Sequence, residues 1–160
     1  MAVDSHEALP VLDVAPERWW DEDALPFRAA VAAGVPMVML GHLAVPAWGD
    51  LPASLSPVAV GVLRDNVGFE GVVVSDDLGM GALGAWAPLE IVDLAVAAGT
   101  DLLLHVILNA EPETLIDHLA GRMESGAMAP ERVGQSVSRL LRMQLDMRGG
   151  MTDGMASSLE

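Results

Sequence analysis

The chain contains no cysteine, no tyrosine and no lysine, and only two phenylalanines. Without Cys there are no disulfides and no thiolate metal sites. Without Tyr, and with so little Phe, there is no aromatic platform on which nucleic-acid bases could stack. The absence of Lys makes all eight basic residues arginine, against 23 acids, for a formal charge of −15. Such a surface repels phosphate backbones and anionic lipid, which argues against nucleic acid and membranes as partners. No apolar stretch approaches about 18 residues without a Gly, Pro or charge, so no transmembrane helix is expected. The opening stretch MAVDSHEALP has neither a basic n-region nor an apolar h-region, so the expected location is cytoplasmic. What is present is a chain of 160 residues, 52% of them hydrophobic. That suits a single folded domain with a core of ordinary size.

The most informative stretch is Gly71-Val72-Val73-Val74-Ser75-Asp76-Asp77-Leu78-Gly79-Met80. Three consecutive valines with no polar alternation read as a strand covered on both faces, as in a parallel α/β sheet. Two carboxylates follow at its exit, and the C-terminal ends of parallel strands are where chemistry collects in such folds. A carboxylate there can be a nucleophile, a general base or a metal ligand, or it can simply cap the next helix.

Other elements follow from local signals. A loop with a short helix is expected near residues 16–23, and a helix over 27–33 stopped by Gly34. Val35–Leu40 (VPMVML) reads as a strand, and a long connection covers His42–Ser56. Ser56 as N-cap and Pro57 at the first helical position open a helix over Val58–Asn66. The Gly71–Ser75 strand comes next, then a helix from Pro88 to Ala98 and a third strand, Asp101–Val106. Helices over Glu111–Glu124 and Pro130–Met147 close the fold, with a frayed tail at Gly149–Glu160. Val31-Ala32-Ala33-Gly34 and Val96-Ala97-Ala98-Gly99 each precede a hydrophobic strand, so the chain repeats at about one βα unit. The repeat fits a (β/α)8 barrel or a doubly wound sheet. Only three strong strands are visible where a barrel requires eight, so the chain reads as part of a barrel.

Seven stretches, in order, resemble the catalytic barrel of glycoside hydrolase family 3, and in particular its bacterial β-N-acetylglucosaminidases of cell-wall recycling. They are Asp4-Ser5-His6; Leu25-Pro26-Phe27; Val38-Met39-Leu40-Gly41-His42; Leu51-Pro52-Ala53-Ser54-Leu55-Ser56; Leu63-Arg64; Gly68 to Met80; and Ala98-Gly99-Thr100-Asp101-Leu102-Leu103-Leu104. The resemblance implies an α/β fold, a partial TIM (β/α)8 barrel made of about the last three βα units and the C-terminal helices. It implies a domain over 1–148, with 149–160 as a flexible tail. It also implies Asp76 as the nucleophile of a retaining glycosidase, His6 as an unusual general acid/base and Asp4 as the carboxylate paired with it. His42 and Met80 are the candidate substrate-binding residues; a satisfied structural His and a packing Met are the alternatives. His105 reads as either a wall or a core position, and His118 as surface. No metal or organic cofactor is implied. The substrate implied is a glycan or muropeptide carrying terminal, non-reducing β-linked N-acetylglucosamine.

The family's Lys-His-Phe-Pro-Gly-His-Gly segment, whose Lys and first His bind the sugar, is absent, as is the first half of the barrel. Two alternatives therefore stand beside the hydrolase. One is a family-3 phosphorylase, whose anionic acceptor a His acid/base would suit. The other is a non-catalytic half-barrel that associates with itself or with a complementing half-barrel.

Overall fold

A computed structural model describes residues 3–106 and 110–157. Three strands, β1 (Met37–Leu40), β2 (Val72–Asp77) and β3 (Leu102–Leu104), form a parallel sheet in the order β1-β2-β3. Helix α1 (Pro16–Arg18) runs through a π turn at Trp19–Asp23 towards α2 (Leu25–Ala32), which leads into β1. Helix α3 (Pro57–Gly61) lies between β1 and β2, and α4 (Pro88–Ala98) between β2 and β3. Helices α5 (Pro112–Glu124) and α6 (Pro130–Ser157) complete the chain.

The local signals account for most boundaries. The Ser56 hydroxyl accepts the Ala59 N–H at the start of α3, and Pro57 follows at the first position. Gly99 closes α4 in the left-handed region at φ 114°, a conformation that costs glycine no Cβ clash.

Several boundaries differ from expectation; β1, for one, opens at Met37 and not at Val35. Strand β2 continues past Ser75 through both acids, because Asp77 still pairs with Leu104. Strand β3 is shorter than Asp101–Val106, because pairing is lost at both ends. Helix α6 continues past Met147 to Ser157, so the stretch expected to fray is helical as far as it is described, and residues 158–160 lie outside the described residues. No proline follows Pro130, and glycine lowers helix propensity by only about 1 kcal/mol without forbidding the helix.

Central β2 is buried along its valines. Val38, Leu63, Phe69 and Val73 form one core cluster. Leu55, Leu78, Leu83, Ile91, Val92 and Ala95 form the other, with Leu103, Leu115 and Leu119 against it. Met39, Val74 and Leu102 are in register across the sheet, yet Met39 and Leu102 are exposed while Val74 is buried. Among the described residues, the outer edges of β1 and β3 have no strand partner.

At the base of the sheet, Asp101 ties the layers together. Its side chain is 0% exposed and accepts the Val73 N–H at 3.0 Å, Arg64 Nη2 at 2.7 Å, the Ser136 hydroxyl at 2.7 Å and Arg139 Nη1 at 3.0 Å. Arg132 Nη1 lies 3.5 Å away. Burial pushes the Asp101 carboxyl up, but the Val73 amide, the Ser136 hydroxyl and the guanidinium groups of Arg139 and Arg64 outweigh it and hold the carboxyl below its usual range. Helix α6 is fixed to the sheet through this carboxylate.

Candidate active site

The site is built where β2 ends. Between Val74↔Leu102 and Asp77↔Leu104 the register slips, with three residue steps on β2 opposing two on β3. Such a bulge bends the strand and re-aims side chains. The two adjacent acids then take different roles. Asp77 is 7% exposed. Its Oδ1 accepts the N–H of Gly79 at 3.1 Å and of Val106 at 2.9 Å, stitching the exits of β2 and β3 together. Asp76 is only partly buried, and its Oδ1 accepts the Asp77 N–H at 2.8 Å. Of the pair, Asp77 supports the frame and Asp76 is turned to the open side.

His42 sits beneath this exit. The Asp77 carbonyl accepts from its Nε2 at 2.8 Å, so Nε2 carries the proton and Nδ1 accepts the Ser54 hydroxyl at 2.6 Å. Burial pushes its pKa down, against the opposing pull of the Asp77 carbonyl and the Asp76 and Asp77 carboxylates, so the ring is held neutral. His42 is 1% exposed, with both ring nitrogens engaged. Met80 is 4% exposed and packs inward. Both side chains expected to bind substrate are buried next to the strand exit.

The third component comes from the start of the chain. Asp4 Oδ1 accepts the backbone N–H of His6 at 2.9 Å and its Nδ1–H at 2.8 Å. The Asp4 carbonyl accepts the N–H groups of Glu7 and Ala8, each at 3.0 Å, which closes the loop into a tight turn. With Nδ1 committed to Asp4, Nε2 is the ring nitrogen left for proton exchange. The Asp4 hydrogen bond, then its charge, raises the His6 pKa above the usual value, and the carboxylates of Asp76 and Asp77 add to it. Asp4 is lowered in turn by the His6 amide and imidazole. Both side chains are exposed.

Two backbone hydrogen bonds dock this loop on the segment after β2: Gly81 N–H to the His6 carbonyl at 3.1 Å, and Ala82 N–H to the Ser5 carbonyl at 3.0 Å. The structure thus gathers Asp4, His6 and Asp76 at one strand exit, with His42 and Met80 buried next to it. Sequence reasoning missed Ser54 and the docking segment 81–82. Ser54 lies inside a quoted stretch, but nothing in its spacing marks it as the partner of a buried His.

His105 follows β3 with both ring nitrogens buried and unpaired among the described residues. His118 is only partly exposed, contrary to the surface reading, because its Nε2 meets Asp93 Oδ1 at 3.0 Å between α4 and α5. The run Asp21-Glu22-Asp23 is exposed, with Glu22 paired to Arg18 at 3.0 Å. Among the described residues no group of three or more His, Asp or Glu is arranged to hold a metal, and no helix is long and apolar enough to cross a membrane.

Parallel βα units with an acid at a strand exit and a His–Asp pair beside it put titratable groups at the end of the sheet where barrel folds carry their chemistry. The comparisons give the family. Residues 1–143 match the glycosyl hydrolase family 3 N-terminal domain, and the chain belongs to that family. It is 37% identical over 142 residues to a β-hexosaminidase of Chromobacterium violaceum, covering 88% of this chain and 37% of that protein. It is 31% identical over 157 residues to a β-N-acetylglucosaminidase/β-glucosidase of Cellulomonas fimi, covering 90% of this chain and 27% of the relative. Among solved structures, it is similar to a family 3 β-N-acetylglucosaminidase of a Paenibacillus species, with a TM-score of 0.84 and 39% identity, covering 89% of this chain and 28% of that one. The chain thus spans well under half the length of these relatives. Its three parallel strands and their helices are a partial (β/α)8 barrel.

Proposed function

We propose that this chain carries the reacting groups of a retaining β-N-acetylhexosaminidase, with Asp76 as nucleophile, His6 as general acid/base and Asp4 as the residue that orients His6. The observation that carries the reading is the division of labour at the end of β2: Asp77 is tied into the frame, while Asp76 is partly exposed beside a docked His–Asp pair. In the first step an Asp76 carboxylate oxygen attacks the anomeric carbon as His6 Nε2–H protonates the glycosidic oxygen, and the leaving alcohol departs. In the second, neutral His6 Nε2 takes a proton from water, whose oxygen attacks the anomeric carbon and releases Asp76. The general scheme uses two carboxyl groups about 5–5.5 Å apart; here the imidazole replaces one of them.

The names borne by the relatives support terminal β-linked N-acetylglucosamine as the sugar. The physiological substrate fitting that chemistry is a cell-wall glycan or muropeptide in peptidoglycan recycling. The chain has no Lys and no Lys-His-Phe-Pro-Gly-His-Gly segment, so the grip on the N-acetyl sugar is assigned to groups outside these residues.

The test is to trap the intermediate. An activated β-N-acetylglucosaminide with slow deglycosylation, given to the chain with the first half of a family barrel, should leave a hexosamine mass on the peptide holding Asp76. Asp76→Asn should abolish the label and Asp77→Asn should keep some of it. A label on any other residue, or none on the wild type, defeats the assignment.

A further inference from the structure

Gly81 opens a single 3-10 turn, Gly81–Leu83, immediately after the strand-exit segment. Its N–H donates to the His6 carbonyl at 3.1 Å, and the next N–H, from Ala82, donates to the Ser5 carbonyl at 3.0 Å. A Cβ on residue 81 would lie 2.6 Å from the His6 carbonyl oxygen, 2.7 Å from the Glu7 carbonyl oxygen and 2.9 Å from the Glu7 carbonyl carbon. All three atoms are backbone, so no side-chain rotation relieves the clash. Gly81 is not among the glycines with positive φ, so the requirement is for space and not for a special backbone conformation.

We propose that Gly81 is a positioning residue for the acid/base: its missing side chain lets the Asp4–Ala8 loop dock against the exit of β2 and sets the distance from His6 to Asp76. This rests on the roles proposed above for His6 and Asp76. Restoring ordinary contact at 3.4 Å from 2.6 Å moves the loop by about 0.8 Å (3.4 − 2.6). A misplacement of about 1 Å can cost on the order of 10²-fold in rate. The Asp4–His6 contact lies within the moving loop, so the dyad survives while its aim is lost. The step affected is protonation of the leaving oxygen, which matters least when the leaving group is already a good one.

Two measurements test this. The first needs no turnover: hydrogen exchange on the 160-residue chain, comparing the wild type with Gly81→Ala and with Gly121→Ala. A Cβ at Gly121 meets nothing within 4 Å, so this control should behave as wild type. Wild-type amides 81 and 82 should be protected, and Gly81→Ala should lose that protection at least tenfold while Val73 keeps its own. Unprotected wild-type amides, or unchanged protection in Gly81→Ala, overturn the docking role.

The second measurement is kinetic, in the chain complemented by the first half of a barrel. Gly81→Ala should lower kcat by roughly 10- to 100-fold for a poor alkyl leaving group, with KM little changed, and by much less for a dinitrophenyl group. Equal losses on both substrates indicate a merely structural role and overturn the proposal. Absence of wild-type turnover defeats the functional reading and the positioning role with it. Intact turnover with unprotected amides defeats the docking alone.

Discussion

Asp101 offers the sharpest energetic test, because one buried carboxylate serves three arginines from two elements. Replacing it with Asn keeps the shape and removes the charge. In either amide orientation the new NH2 group faces donors: Arg64 and the Val73 N–H on the Oδ2 side, Ser136 and Arg139 on the Oδ1 side. Arg64, Arg132 and Arg139, each mostly buried, are left without their counter-ion. Removing one partner of a buried ion pair costs about 3–5 kcal/mol, a large part of a typical domain stability of about 5–15 kcal/mol. With a urea m-value of about 2 kcal/mol/M, the midpoint should fall by about 1.5–2.5 M.

The acid limb supplies a control. The folded pKa of Asp101 is depressed, so its contribution is present above the unfolded value of about 3.9 and is lost as pH falls through the folded pKa. The Asn variant should therefore lack that acid-dependent loss. Arg139→Ala should cost less in the Asn background than in the wild type, since it then removes an unpaired charge. A local readout runs in parallel: the Val73 amide, bonded to Asp101 Oδ2, should lose protection from exchange. A midpoint shift below about 0.5 M with Val73 protection intact would refute the view of Asp101 as the anchor of α6.

Two further outcomes are expected. Asp4→Asn removes the largest cause raising the His6 pKa, so the alkaline limb of kcat/KM, where His6 loses the proton it must donate, should begin at lower pH; a limb that stays in place would remove Asp4 from the dyad. The chain alone should self-associate and show negligible turnover of an aryl N-acetylglucosaminide, because both sheet edges lack strand partners among the described residues and Met39 and Leu102 are exposed beside Val74; light scattering showing a 16.8 kDa monomer would contradict this.

The strands and the main helices were legible because their signals are local: valine runs, the Ser56-Pro57 start, the Gly99 stop. The acid pair was legible as a pair. Local signals did not separate the two, and only the family resemblance singled out Asp76, since the geometry depends on Val106 reaching back to Asp77 from 29 positions away. His42 was ambiguous for the same reason, as its partners Ser54 and Asp77 lie 12 and 35 positions along the chain. Gly81 could not be read at all, because the backbone that crowds it belongs to residues 6 and 7. The extension of α6 was not legible because residues 149–160 are small, polar and terminal, features that weaken a helix without forbidding it.

The two groups proposed to react are held in contrasting ways, and the contrast suits the proposed tasks. Asp76 stands on the central strand of the sheet, between two paired neighbours and behind a buried valine run, so its position is set by the most protected part of the fold. A nucleophile profits from that, since attack depends on a narrow approach to one carbon. His6 stands on an exposed five-residue turn, fixed internally by Asp4 and externally by the bonds at Gly81 and Ala82. An acid/base has to give a proton to one oxygen and later take one from another, so it needs contact with water and a pKa near the working pH. The His6 side chain is exposed, and the Asp4 bond at Nδ1 raises its pKa. The consequence is that damage to the two groups should look different: lesions in the frame behind Asp76 act through stability, whereas lesions at the docked turn act on proton transfer and leave the fold standing.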